Sequence, residues 1–333
     1  YLPNLAQIST NGMKQLLSAP ASNQTFGLQA MTEEIHATFQ IESIHSSRNS
    51  IRHILNGYAP RNEEESRIYG MKRGLDFIAD RQNTITEENL HQLYQISTGD
   101  YLPDEDRLLP DHFYRHDVVY VVGGEESREG LPAQQLPDAM KRLVDFANAK
   151  DGINELHKAA ILHLAFAYYH PYFDGNGRTA RLLHLWYLVQ QGYPAALFTP
   201  FSRYIAESKA AYYKAYDRVE KNALISGYTD VTPFLSYFCN EVYNRLQVDV
   251  IPPQADLQVY QTALANGKIT EKERLLWEYV LSAYGTEEFT TKQLEKDFRN
   301  AAYATIRTFV MKFHEMGLLA ARKAGNRVYY KVR

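Results

Sequence analysis

Apolar positions recur at three- and four-residue steps along most of the chain, the period of amphipathic helices rather than of strands. Over Asn154–Tyr169 the residues Leu156, Ala160, Leu164 and Ala167 keep that step, and the spacing predicts a helix. The same pattern predicts helices over Met31–Ser46, Ser50–Asn56, Glu63–Ala79, Thr86–Tyr94, Leu136–Ala149, Tyr204–Asn222 and Thr232–Gln247. Thr86 suits an N-cap, with Glu87 and Glu88 in the first turn, and Pro137 suits a first turn. Thr179–Gln191 is apolar nearly all round and stops at Gly192, which predicts a buried helix. One stretch breaks the pattern. Gly99–Gly130 holds Pro103, Pro110, Gly123, Gly124 and the run Val118–Val122, which predicts a short hairpin or flap.

The style changes after Val250-Ile251-Pro252-Pro253, where two prolines break the helical pattern. Helices are predicted over Thr270–Ala283, Thr291–Phe298 and Ala302–Met316, the last ended by Gly317. Leu318–Ala324 and Arg327–Val332 then flank Gly325-Asn326, a hairpin turn. The expected architecture is all-α with a small β-hairpin flap, plus a C-terminal winged helix. Residues 1–249 would form the first domain, with an N-terminal helix at about 31–47. Residues 250–267 would be a linker and connecting helix, and 268–333 the winged-helix-like domain.

Composition adds exclusions rather than identity. Apolar residues make up 45% and charged residues 23% of the 333, ordinary for a soluble chain with a sizeable core. The single cysteine, Cys239, forbids an internal disulfide and points to a reducing, cytoplasmic compartment. No apolar run approaches the roughly 20 residues that span a bilayer, so no membrane role is expected. The net charge of -3 leaves partners undecided.

The chemistry concentrates in His170–Arg181, HPYFDGNGRTAR, between the two most apolar predicted helices. A helix starting near Gly177 offers unpaired N–H groups and a positive dipole end. Gly175 and Gly177 let an anion approach the backbone. Arg178 and Arg181, three apart, put two guanidinium forks on one helix face, a set suited to several phosphate charges. Asp174 beside them suits Mg²⁺, which takes few protein carboxylates and several phosphate oxygens. His170 is the loop's proton acceptor near neutral pH. Together these predict transfer of a phosphorus-containing group from a nucleoside triphosphate. The competing reading is an ordinary Asp-Gly-Asn-Gly turn after a helix-end histidine. An EF-hand is excluded, because Arg178 and Leu185 stand where ligands are needed. A metal site on His163 and His170 finds no third ligand at suitable spacing.

The segment resembles the Fic motif, His-Pro-Phe-x-(Asp or Glu)-Gly-Asn-Gly-Arg-x-x-Arg, departing from it at Tyr172. The resemblance implies a compact helical domain over roughly Met31 to Gln247. It implies transfer of AMP from ATP to a hydroxyl of a protein serine, threonine or tyrosine, the protein itself included among targets. By that resemblance His170 is the base, Asp174 holds Mg²⁺, Gly175, Asn176 and Gly177 line the anion hole, and Arg178 and Arg181 grip the β- and γ-phosphates. Thr38–Ser43, TFQIES, is similar to the family's inhibitory helix, in which Glu42 would pair with Arg181 at the place of the γ-phosphate. Ser43 departs from the family's glycine or asparagine there. Val118, Val119, Tyr120 and Val121 correspond to the flap, whose edge could dock an extended target segment. Tyr204 and Tyr212, with Tyr213, fall where the family tends to contact adenine. The same site could instead remove AMP, with Glu42 orienting water, or transfer UMP or phosphate.

From Arg299 onward eight basic residues face the single acid Glu315. A basic helix and hairpin outline a DNA reader, and a protein-binding winged helix is the alternative. A third reading of the whole chain is therefore an ATP-sensing, DNA-bound regulator.

Overall fold

Most of the chain folds as its period predicts. The computed structural model describes residues 17, 27–121, 128–249, 254–284 and 287–333. The helices up to residue 249 are α1 (Gly27–Ile41), α2 (Arg48–Leu55), α3 (Glu63–Ala79), α4 (Glu87–Ser97), α5 (Leu136–Asn148), α6 (Glu155–Tyr169), α7 (Asn176–Gln190), α8 (Phe201–Glu207), α9 (Lys209–Ser226), α10 (Thr232–Tyr237) and α11 (Asn244–Asp249). Short strands β1 (Tyr120–Val121) and β2 (Arg128–Glu129) pair antiparallel between α4 and α5. Later come α12 (Gln254–Ala265), α13 (Glu271–Ala283), α14 (Thr291–Phe298), α15 (Tyr303–Glu315), β3 (Leu319–Ala324) and β4 (Arg327–Val332). The contacts divide the chain into one unit of Tyr1–Ala21 and Glu33–Asp249 and another of Ser22–Thr32 and Val250–Arg333.

In the first unit the core centres on α6 and α7, which pack against each other. Leu182, Leu183, Leu185, Trp186 and Leu188 of α7 are buried, as are Leu156, Leu162 and Phe166 of α6. Each contributes about 1.5–3 kcal/mol relative to exposure. Asn154 caps α6, its side chain accepting from Leu156 N at 3.0 Å, and Thr86 caps α4, accepting from Asn89 N at 3.1 Å. Both helix starts are therefore fixed by local sequence.

Four expectations need correction. The N-terminal helix stops at Ile41, not Ser46, because Ser43 takes a left-handed conformation (φ 58°). The predicted helix Tyr204–Asn222 is two helices broken at Ser208, whose hydroxyl donates to Tyr204 O at 2.7 Å and so competes with the helical ladder. Thr232–Gln247 likewise contains a π-helical turn, Phe238–Tyr243, ahead of α11. Among the described residues of the predicted flap strand, Tyr120 and Val121 pair with β2 and Val119 O accepts from Gly130 N at 2.9 Å, while Val118 is exposed. Val122, Gly123, Gly124 and the Val250–Pro253 boundary lie outside the described residues.

In the second unit Leu276, Trp277, Val280, Leu294, Ile306, Phe309, Phe313 and Leu319 form a core. Strands β3 and β4 pair antiparallel in the register Ala324↔Arg327, and Phe289 bridges to Tyr330. Thr270 and Glu273 form a reciprocal capping box at the start of α13.

Candidate active site

Helix α6 ends at Tyr169, and His170 caps it in a left-handed conformation (φ 54°). Five residues later Gly175 (φ 80°) starts α7. A side chain at Gly175 would collide with Thr98 as well as meet the steric cost of that φ, so glycine is required there. Between the two ends, Tyr172 is fully buried and stacks on Tyr94. Asn176 closes the loop on itself: its Oδ1 accepts from Tyr172 N at 2.9 Å, and its Nδ2 donates to Tyr172 O at 2.8 Å. The Asn176 side chain thus shapes the turn, and what it leaves free for an anion is backbone N–H at the start of α7.

The two arginines converge on one acid. Arg178 Nε donates to Glu42 Oε2 at 3.0 Å, and Arg181 Nη2 donates to Glu42 Oε1. Arg181 also donates to Thr38 Oγ1 at 2.5 Å and to Thr38 O at 3.2 Å, so the pair Thr38–Glu42 is gripped as a unit. Both guanidiniums are buried, 3% and 4% exposed. Burial works to raise the pKa of Glu42, but Arg181 and Arg178 outweigh it, and the carboxyl lies below its ordinary range. A Cβ at Gly177 would collide with Glu42 Oε1, so the carboxylate rests directly on the bare backbone of α7.

Asp174 is half exposed. Its Oδ1 accepts from Gly175 N at 2.6 Å and its Oδ2 from Arg178 Nη2 at 3.0 Å, leaving further lone pairs toward solvent. Among the described residues no group of three or more His, Cys, Asp or Glu could enclose a metal. A lone, half-exposed carboxylate next to arginines fits an ion that is completed by phosphate oxygens.

His170 Nδ1 lies 3.3 Å from Ala167 O. A carbonyl can only accept, so this contact assigns the proton to Nδ1 and leaves Nε2 with its lone pair. Burial pushes the imidazole down to about 4, and the charges of Arg128 and Arg115 act in the same direction. His163 plays no part with it: its Nε2 pairs with Tyr212 OH at 2.7 Å inside the core.

Glu42, His170, Asp174, Asn176, Gly177 and Arg181 line a cavity of about 620 Å³; Gly175 and Arg178 stand behind that lining. Tyr120 and Val121 of the flap and Tyr212, Tyr213 and Tyr216 of α9 also line it. Val118, Val119 and Tyr204 do not. Tyr204 is 1% exposed, with Arg203 and Arg245 over its ring, which puts it in the core rather than on the cavity. Sequence reasoning missed Arg115, Arg128, Tyr216 and Glu220. Tyr213, Tyr216 and Glu220 follow helical spacing and could have been read as one face of α9. The two arginines had no such signal.

Residues 84–188 match the sequence profile of the Fic/DOC family. The chain carries a Fic/DOC domain. It is 30% identical over 181 residues to protein adenylyltransferase fic-1 of Caenorhabditis elegans, a match covering 52% of this chain and 31% of that protein. It is 29% identical over 144 residues to protein adenylyltransferase Fic of Drosophila willistoni, covering 40% of this chain and 26% of the relative. The chain thus spans about a third or less of these curated relatives. A Fic family protein from Desulfovibrio desulfuricans G20 shares the fold over 92% of this chain and 86% of its own, with a TM-score of 0.57 at 17% identity. Fic-1 (residues 134–508) of C. elegans does so over 72% of this chain and 69% of its own, with a TM-score of 0.55 at 21% identity.

Proposed function

We propose that the cavity is a nucleotidyl-transfer centre that moves AMP from ATP to a hydroxyl of a protein serine, threonine or tyrosine, and that Glu42 holds it off. The observation that carries this reading is the seat of Glu42, an anion clasped by both arginines at the glycine-lined start of α7. A site that binds the protein's own carboxylate so well has the donors for a phosphate. With Glu42 withdrawn, Arg178 and Arg181 would grip the β- and γ-phosphates. His170 Nε2 would take the target hydroxyl proton as the oxygen attacks the α-phosphorus. The bond to the bridging oxygen breaks and pyrophosphate leaves along the arginines. Asp174 would hold Mg²⁺, which when bound neutralises phosphate charge. Tyr212 lines the cavity and is the candidate base contact.

The test uses full-length Glu42→Gly protein with Mg²⁺ and ATP labelled on the α- or the γ-phosphorus. Transfer of α-label alone to itself or to lysate proteins supports the reading. Transfer of γ-label, or of neither, overturns it. Glu42 is ionised and 19% exposed, which also favours removal of AMP by a water it orients. Hydrolysis of an AMP-modified target by wild type but not by Glu42→Ala would identify that direction.

We read the second unit as a winged helix with α15 as its leading helix and β3–β4 as the wing. The exposed cations Lys323 and Arg327 at the hairpin turn support contact with duplex DNA. Of the basic residues from Arg299 onward, Lys312 is paired with Glu273 and Arg322 with Glu288. Among the described residues no helix is long and apolar enough to cross a membrane. A lone buried thiol, Cys239, is compatible with the cytoplasm.

A further inference from the structure

Two arginines that the motif does not include pin the flap to the catalytic loop, and they differ in kind. Arg115 is buried and donates to three carbonyls: His170 O at 2.8 Å, Asp117 O at 2.6 Å and Leu131 O. It does not line the cavity. Arg128 does. It stands on β2 and donates to Tyr168 O at 3.0 Å and to Ala167 O at 3.3 Å. Its guanidinium lies 4.5 Å from the centre of the Tyr168 ring, and its Nε meets the Glu220 carboxylate of α9.

Ala167 O is the same carbonyl that faces His170 Nδ1. It belongs to the last turn of α6, where carbonyls lack helical partners and attract cations. An imidazole that must accept a proton at Nε2 has to keep its own proton on Nδ1, and that depends on this acceptor staying in place. The charges facing the ring are Arg128 and Arg115 from the flap and Glu42 beyond α1.

We propose that Arg128 is a positioning residue: from the flap it fixes the Ala167 carbonyl that sets the His170 ring, and through Glu220 it ties that setting to the α9 wall of the cavity. Target docking on the flap and nucleotide contact on α9 then bear on one imidazole. The inference rests on the nucleotidyl-transfer reading, which supplies the need for a base at Nε2.

The test places Arg128→Gln, Arg128→Lys and Glu220→Gln in full-length Glu42→Gly protein. Expected is a kcat lower by about a hundredfold in Arg128→Gln, the scale of a misplaced catalytic group, with the KM for ATP and Mg²⁺ unchanged. Glu220→Gln, which cuts the tie from the other side, lowers kcat by about tenfold, the effect of a single weakened contact. Arg128→Lys keeps the charge but not the fork, and recovers only part of the rate. Nitrogen NMR of the imidazole, assigned against His170→Ala, should show the Nδ1–H tautomer alone with Arg128 present and a mixture in Arg128→Gln. This readout needs no turnover. Should Glu42→Gly transfer nothing while the tautomer still responds to Arg128→Gln, the reaction reading fails and the positioning role stands. An unchanged tautomer in Arg128→Gln overturns the proposal, whether the rate is kept or lost together with ATP affinity.

Discussion

Arg181, 139 residues downstream of Glu42, donates to its carboxylate and to the side chain and carbonyl of Thr38. One guanidinium thus holds two residues a helical turn apart. The Thr38 hydroxyl is a charge-assisted partner, and such bonds are worth about 1.5–3 kcal/mol. Thr38→Val should loosen the grip on α1 and raise basal label transfer by about tenfold, the equivalent of 1.4 kcal/mol. It should stay below Glu42→Gly. An initial-rate comparison of the three proteins checks this; a basal rate at the wild-type level would show that Thr38 does not help hold Glu42.

The pH profile of transfer by Glu42→Gly carries a sign. His170 is active as the neutral base, and burial lowers its pKa to about 4. Activity should therefore persist below the ordinary histidine value of about 6.5 and fall only as the pH approaches 4. Glu42 acts to raise that pKa, so its removal moves the limb further down, not up. Rates measured between neutral pH and the acid unfolding limit, on protein shown folded by circular dichroism, decide the matter. A limb near 6.5 would mean that the ring is solvated in the working state.

Ser43 occupies a left-handed position directly after Glu42 (φ 58°). A residue other than glycine there carries a steric cost of about 1–2 kcal/mol. Ser43→Gly removes that cost, offset in part by glycine's greater freedom when unfolded. The helix end should become more stable and basal transfer lower than wild type. Differential scanning calorimetry and a basal-rate assay report both; a higher basal rate would contradict the strain argument.

Gly175→Ala should be among the most damaging single methyl additions. It meets a left-handed φ of 80° and the Thr98 side chain together. Strain alone costs about 1–2 kcal/mol, and overpacking adds about 1–3 kcal/mol. A clearly lower melting midpoint is expected. Gly152→Ala is the control: its φ of 74° carries the strain, but no neighbour lies within 4 Å of the added carbon.

The loop from His170 to Arg181 was legible because its residue types have few joint uses, and the helices were legible because their apolar period is strong. Thr38 and Glu42 were legible through the likeness of TFQIES to the inhibitory helix, since their spacing within one helix marks no role by itself. The breaks at Ser208 and at the π-turn were not, since a hydroxyl bonding back to Tyr204 O and an extra residue in a helix leave the apolar period almost intact. Tyr204 misled because an aromatic after the motif helix reads alike whether it faces a cavity or the core. Arg115 and Arg128 were invisible for a different reason. Most of the contacts that matter here, from Arg115 to His170 O and Leu131 O and from Arg128 to Tyr168 O, run to backbone carbonyls 16 to 55 residues away, which no side-chain pattern marks.

The most direct test is intact-mass spectrometry of full-length protein after incubation with ATP and Mg²⁺. The account predicts an added adenylyl mass on Glu42→Gly protein or on a lysate target, little or none with wild type, and none when His170→Ala is combined with Glu42→Gly. An adduct that survives His170→Ala, or wild type labelled as fully as Glu42→Gly, would contradict it.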